Sequence, residues 1–442
     1  MKTVLGIIVG LLIISIMMAL HEWGHYVAGR LLKFKILSYN IFMGPTLFKK
    51  RKNGIDYTIK SVPIGASVEF AGELEDDEAE ADPDYDPNDP GLFFNRPRWA
   101  RAIVAFSGPL MNFISAFIAL VILVLSFGTA IPTVAMVPQD SAFAGSGIEA
   151  GDRIISYNDS SVNTVMDYQM ENMFSEAESA RKVVYEKPNG ERHEVIIRPE
   201  AQDVLRLGIS YSTDPDSLYE IVYVDPASNG GDPVLHEGDK LIALNGASIA
   251  DDTAYNRVMS QITSARQIVT VSVDRDGQRL DLPMTLTEYH DVEPMNLVFG
   301  ASKSFGTAIH QGFHYQVSVI KSTFKGLGWI FKGKLSAREG LAGPVAIVGM
   351  VGDVVKEDTA FADKVAQLLM FFAFVSVAIG FTNLLPIPPL DGHHLLILAI
   401  EGTIRRDLPT KFKHALAMVG FILIFGLAIL VFYFDITRLF AG

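Results

Sequence analysis

The sequence predicts a polytopic α-helical membrane protein with four transmembrane helices, a membrane-associated β-hairpin region and two tandem small α+β domains. Three observations lead there. Hydrophobic residues make up 49% of the 442 positions, and the mean hydropathy of +0.27 is too apolar for an ordinary soluble enzyme. Charge-free apolar stretches long enough to cross a bilayer run over residues 3–20, 102–131, 365–390 and 415–434. The segment between the second and third stretches turns polar, with short β-rich runs, and it repeats itself. Charge and cysteine content narrow the function at once. A net charge of -13 without a basic stripe argues against nucleic-acid binding, and the absence of cysteine means that any metal must be held by His, Asp or Glu.

The first apolar run follows Lys2 as a secretory leader would, but no small-residue cleavage site follows it, so it reads as a retained helix. Gly6 and Gly10, four apart, offer a face where another helix can pack closely. The run leads into His21-Glu22-Trp23-Gly24-His25. Helical positions four apart share a face, so both imidazoles can reach one metal ion, and Glu22 can contact water held there. That is what zinc-assisted peptide hydrolysis needs: nitrogen ligands, an open position and a carboxylate to take a proton. Ionisable side chains at the edge of a membrane span are costly unless paired or metal-bound, which makes them functional candidates.

Lysine and arginine set the orientation. Lys33, Lys35, Lys49 to Lys52, Arg96, Arg98 and Arg101 lie between spans one and two, and Arg405, Arg406, Lys411 and Lys413 between spans three and four. These loops are expected in the cytoplasm, with both termini and the middle region on the other side. At about 1.5 Å per residue the run from Thr3 to His21 rises roughly 27 Å, so the metal site is expected near the cytoplasmic leaflet.

Between residues 36 and 70, Gly44-Pro45 and Asn53-Gly54 mark turns and Ile55 to Lys60 partly alternates, which reads as one or two β-hairpins against the site. Residues 73–90 carry ten acidic side chains and read as a solvated loop. The second span holds Ser107-Gly108-Pro109 and Asn112, which kink it and offer polar atoms to neighbours. In the middle region Gly151-Asp152-Arg153-Ile154-Ile155 is echoed 87 residues later by Gly238-Asp239-Lys240-Leu241-Ile242. The repeat suits two small domains that look like PDZ domains, which bind peptides by adding a strand beside an exposed groove. From Ser302 to Lys334, apolar residues at helical spacing predict one or two amphipathic helices on the outer membrane surface. The boundaries that follow are 1–130, 131–204, 205–291, 292–360 and 361–442.

Asn383-Leu384-Leu385-Pro386-Ile387-Pro388-Pro389-Leu390-Asp391-Gly392 closes the third span. Spans one and three run in the same direction, so Asp391 and the histidines are expected at one depth, giving His21, His25 and Asp391 as three ligands with a fourth position for water. Together these motifs resemble the site-2 protease family of intramembrane zinc metalloproteases, in particular its bacterial regulator-of-sigma-E protease branch. The resemblance covers nearly the whole chain. It implies a zinc-dependent endopeptidase of the bacterial inner membrane, with Zn2+ on His21, His25 and Asp391, Glu22 as general base and Asn383 positioning substrate. It further implies that the hairpin pairs with an extended substrate and that the PDZ-like pair screens out bulky substrates. The implied partners are membrane lipid and single-span membrane proteins of the anti-sigma-factor or leftover signal-peptide kind. Two departures stand out: His393 follows Gly392 where a second glycine is usual, leaving His393 or His394 as a substitute ligand, and Gly65-Ala66-Ser67-Val68 replaces a more usual GGYV-like stretch. The competing reading is a non-catalytic membrane scaffold that captures peptide C-termini.

Overall fold

The computed structural model describes residues 2–73, 86–212, 214, 217–249, 252–262, 264 and 267–439; most of the acidic stretch lies outside them. In chain order the elements are helix α1 (Lys2–Leu31), strands β1 (Ile36–Lys52) and β2 (Ile55–Phe70), and helix α2 (Arg98–Phe127). A β-rich region follows: β3 (Thr129–Met136), β4 (Arg153–Tyr157), β5 (Ser160–Ser161), α3 (Val165–Met173), β6 (Arg181–Glu186), β7 (Arg192–Ile197), β8 (Ala201–Arg206), β9 (Ile209–Tyr211), β10 (Ile221–Val224), α4 (Ser228–Gly231), β11 (Lys240–Leu244), β12 (Ala247–Ser248), α5 (Asp252–Met259), β13 (Ile268–Arg275), β14 (Gln278–Thr285), β15 (Thr287–Val292) and β16 (Val298–Ser302). The chain ends in α6 (Phe305–Phe331), α7 (Ala337–Gly340), α8 (Pro344–Lys356), α9 (Phe361–Asn383), α10 (Asp391–Ile404) and α11 (Thr410–Leu439).

Four helices, α1, α2, α9 and α11, are long and apolar enough to cross a membrane. Their limits differ from the apolar runs. α1 continues through the histidines to Leu31, because nothing in residues 21–31 breaks a helix and the polar groups there find partners. α9 stops at Asn383 instead of Leu390: Pro386, Pro388 and Pro389 cannot donate the next helical hydrogen bonds. The chain then restarts at Asp391 as α10.

α2 is the centre of the bundle, packed against α1, α6, α9 and α10. The Gly6 and Gly10 face is used by α8: a Cβ on Gly6 would lie 2.6 Å from the Gly352 Cα, and one on Gly10 3.1 Å from the Val348 Cα. α11 is the least buried span. Near its end Asp435, fully buried, accepts the Gly343 and Ala346 amides at the start of α8, both at 3.1 Å, and pairs with Arg438. A carboxylate at a helix N-terminus satisfies amides that would otherwise lack partners in lipid.

The amphipathic stretch expected as one or two helices is one helix, α6, packed along α2 and α9. Small residues permit it: Ala308 meets Leu123 and Val124, and Gly312 lies under the Phe117 ring. Its other side carries the first β-unit through Thr164 to Ser318 (3.0 Å), Glu176 to Lys334 (2.6 Å) and the Glu171–Lys325 ion pair.

The β-region has two cores. One gathers Val134, Phe143, Ile154, Tyr157, Val183 and Met295 under a six-stranded sheet of order β16-β3-β4-β6-β7, with β5 on β4. The other gathers Leu207, Ile221, Leu244, Val269, Val271 and Met284 under the sheet β12-β11-β13-β14. The second unit is therefore inserted before the strand that completes the first. The repeated Gly-Asp does the same job in each: Asp152 accepts the Glu149 amide at 2.9 Å and Asp239 the His236 amide at 2.8 Å, both aspartates being buried beside a cation, Lys187 or Arg275.

After α1 the chain forms one long twisted hairpin, β1 with β2, whose halves pair twice. Residues Ser38 to Ile41 have partners on both sides, Asp56 to Ile59 and Ala66 to Glu69. Ala66 to Phe70 is consequently an edge strand. Inside, Asn40 bonds Ser38 (2.7 Å) and accepts from Thr58 (2.6 Å), so the buried polar side chains are satisfied. Met43, Leu47, Phe48 and Val62 at the far end are exposed.

Candidate active site

The α-helical rise sets His21 and His25 one turn apart on α1, with ring centroids 4.9 Å apart and planes crossed at 79°. α2 passes close beside them because residue 108 is glycine. A Cβ there would lie 2.2 Å from His25 Nε2 and 2.8 Å from His21 Nε2. Asp391 arrives from the other side as the first residue of α10. The proline-rich loop before it folds back so tightly that a Cβ on Gly392 would meet the Leu384 carbonyl at 2.2 Å. His21 Nε2 is then 3.1 Å from one Asp391 oxygen, His25 Nε2 is 3.5 Å from the other, and the two Nε2 atoms are 3.2 Å apart.

These donor atoms lie within 4.8 Å of one another and could hold a metal ion. Their spacing fits zinc: tetrahedral bonds of about 2.0–2.1 Å put neighbouring ligand atoms roughly 3.3 Å apart. The outer faces of the imidazoles fit too. The Nδ1–H of His25 donates to the Val104 carbonyl at 2.8 Å, which leaves Nε2 with its lone pair. His21 Nδ1 faces the Asn112 amide, with Nδ2 at 3.2 Å, while the fully buried Asn112 has its Oδ1 without a partner among the described residues. A half-turn of that amide lets Oδ1 accept from His21 Nδ1–H, and both rings then present Nε2 lone pairs to one point.

Glu22 points toward the hairpin, where its Oε2 accepts the Val68 backbone amide at 3.0 Å. The Tyr39 hydroxyl donates to the Ala19 carbonyl at 2.9 Å and fixes the hairpin to α1. Asn383, the last residue of α9, brings Nδ2 to 3.5 Å from His21 Nε2. All five residues singled out from the sequence thus meet in one place. His393 and His394 do not join the metal cluster among the described residues; they line an adjoining cavity of about 580 Å³. The sequence gives Asn112 as a polar group offered to neighbours inside the second span, without naming the partner. An amide inside an apolar helix was the signal, and its partner could be named only once the helices were packed.

The model of peptidase family M50 matches residues 9–427. The chain belongs to peptidase family M50. Proteins named "Putative zinc metalloprotease" are similar to it along their full length. That of Treponema pallidum is 27% identical, covering 98% of this chain and 99% of its own. Those of Rhizobium meliloti, 25% identical over 97% and 96%, and Vibrio cholerae, 26% identical over 96% and 97%, are comparable. This M50 chain, with its metal-binding triad and four spanning helices, is a zinc-dependent intramembrane metalloprotease. Its four spanning helices make it a multi-pass membrane protein.

Proposed function

We infer that this M50 peptidase cuts the transmembrane segments of single-span proteins, with zinc on His21, His25 and Asp391, Glu22 as general base and Asn383 as a substrate-positioning residue. The observation that carries the reading is the Glu22 carboxylate, set between the three-ligand cluster and the free edge of the hairpin. A bound zinc ion supplies Lewis acidity toward the scissile carbonyl and toward water. Glu22 takes the proton of the attacking water and hands it to the leaving amine. Asn383, beside His21, is placed to donate to the substrate backbone.

A helical substrate hides its carbonyls in its own hydrogen bonds, so a stretch of it must unwind. Ala66 to Phe70 offers the replacement bonds, since strand addition at an open edge satisfies a backbone that lipid cannot. The resemblance to the regulator-of-sigma-E branch supports anti-sigma-type proteins and leftover signal peptides as substrates. It also supports PDZ-like units that screen out bulky outer domains, on the periplasmic side with both termini, and a catalytic site toward the cytoplasm.

The test is Glu22→Gln in the full chain reconstituted in liposomes with a tagged single-span substrate. Cleavage falls by about 10²–10⁴ while bound zinc stays at the wild-type level. Undiminished turnover removes Glu22 from its role, and wild-type protein without zinc removes the metal site.

A further inference from the structure

A second polar site lies where the first β-unit meets α6, on the opposite end of α2 from its basic start. It is a cavity of about 250 Å³ whose walls include Thr133, Arg153, Asn163, Thr307, His310 and Gln311. Gln311 is 5% exposed, and its side-chain amide makes no hydrogen bond among the described residues. That amide faces the cavity and is open to a polar occupant. The guanidinium of Arg153 likewise has no carboxylate partner among the described residues, although most other arginines of the β-units do. His310 stacks on His314 with centroids 4.2 Å apart. Burial, His314 and Arg153 together push the His310 pKa down, and no carboxylate offsets them. The cavity therefore gathers an exposed cation at its rim, N–H donors and hydroxyls, with no carboxylate among its lining residues: the chemistry of an anion site.

Depth identifies the anion. α2 ends at Phe127, and Ile131 to Thr133, which line the cavity, follow directly. A segment just past the end of a membrane-spanning helix lies at the level of the headgroups. Alongside, Phe305, Ile309 and Phe313 of α6 stay exposed as an apolar stripe, and an apolar groove of about 400 Å³ lies between α2 and α6. Both surfaces suit acyl chains.

We propose that this cavity binds the phosphate of a phospholipid headgroup, with Arg153 as its cationic partner and Gln311 as a buried donor, and so fixes the first β-unit and α6 to the membrane surface. Nothing in the catalytic reading assigns these residues a role.

The experiment titrates the purified full chain in detergent with dihexanoyl phosphatidylglycerol, counting bound molecules by native mass spectrometry, with inorganic phosphate as a competing arm. Wild type takes up one saturable molecule, and Arg153→Gln weakens binding at least tenfold. Gln311→Glu, which sets a carboxylate in the cavity, weakens it as much. Arg192→Gln, on an exposed strand of the same unit, leaves it unchanged. Equal binding by Arg153→Gln and wild type overturns the proposal. Displacement of the lipid by equimolar inorganic phosphate overturns its lipid part, because the site would then take the free anion.

Discussion

The carboxylate of Glu22 and the backbone amide of Val68 are joined by a 3.0 Å hydrogen bond. Val68 lies in the edge segment of the hairpin, so its N–H points away from the neighbouring strand and toward α1. The proposed base and the proposed substrate-pairing edge are thus one hydrogen-bonded unit. A substrate strand that claims this amide also frees the carboxylate.

Val68→Pro tests that coupling. Proline is tolerated on an edge strand whose N–H faces outward, so the sheet survives while the donor is lost. Cleavage of a single-span substrate is expected to fall about tenfold, the worth of one hydrogen bond of ~1.4 kcal/mol, with bound zinc unchanged. A wild-type rate would separate the hairpin edge from catalysis.

Asn112→Leu removes the side chain that, among the described residues, faces the outer nitrogen of His21. Losing such a partner typically costs 10–100-fold in metal affinity, and the same range is expected here in a chelator-competition titration. Asn112→Asp keeps an acceptor and holds zinc near the wild-type level. Equal affinity in the leucine variant would reduce Asn112 to a packing residue.

The α1–α8 contact predicts a stability effect away from the site. Gly6→Ala drives a methyl into the Gly352 backbone and is expected to destabilise by about 1–3 kcal/mol. Thermal unfolding in detergent reads it. Gly402→Ala, inside α10 with nothing within 4 Å of the new Cβ, serves as the matched control and does not lower the midpoint, since alanine favours the helix.

Asp239 makes the second β-unit acid-sensitive. Burial alone would raise its pKa, but two 2.7 Å bonds from Arg275, the His236 amide and the neighbouring charges outweigh it and hold the carboxyl below its ordinary value. A depressed native pKa stabilises above the unfolded value, about 4, and that stability is lost as pH falls through the native one. Hydrogen exchange of peptides from residues 267–285 is expected to accelerate below pH 4. Asp239→Asn shows the faster exchange already at pH 7, at a cost of about 3 kcal/mol, and loses the pH step.

The spans and the site were legible because they break composition rules. Charged and imidazole groups beside a membrane-length apolar run, and three prolines ahead of an aspartate, have few structural explanations. α8 and α10 were not legible. Each is apolar but too short to stand out as a span, and α10 merges with the apolar run before it. The close approach of α2 to the histidines was hidden as well, since Gly108 and Gly24 reveal their purpose only when another helix presses on them: a Cβ on Gly24 would meet the Ser107 carbonyl at 2.2 Å. Long-range pairing leaves no local pattern, so β16 falls in the 292–360 segment, outside the expected 131–204 domain whose strand β3 it flanks.

That pairing has a consequence for biosynthesis. β3 emerges directly after α2, yet its neighbour β16 is translated only after the entire inserted unit. While the ribosome works through the intervening codons, a strand paired on one side only waits at the bilayer, and the nascent chain must complete the inner module before the outer one can close around it.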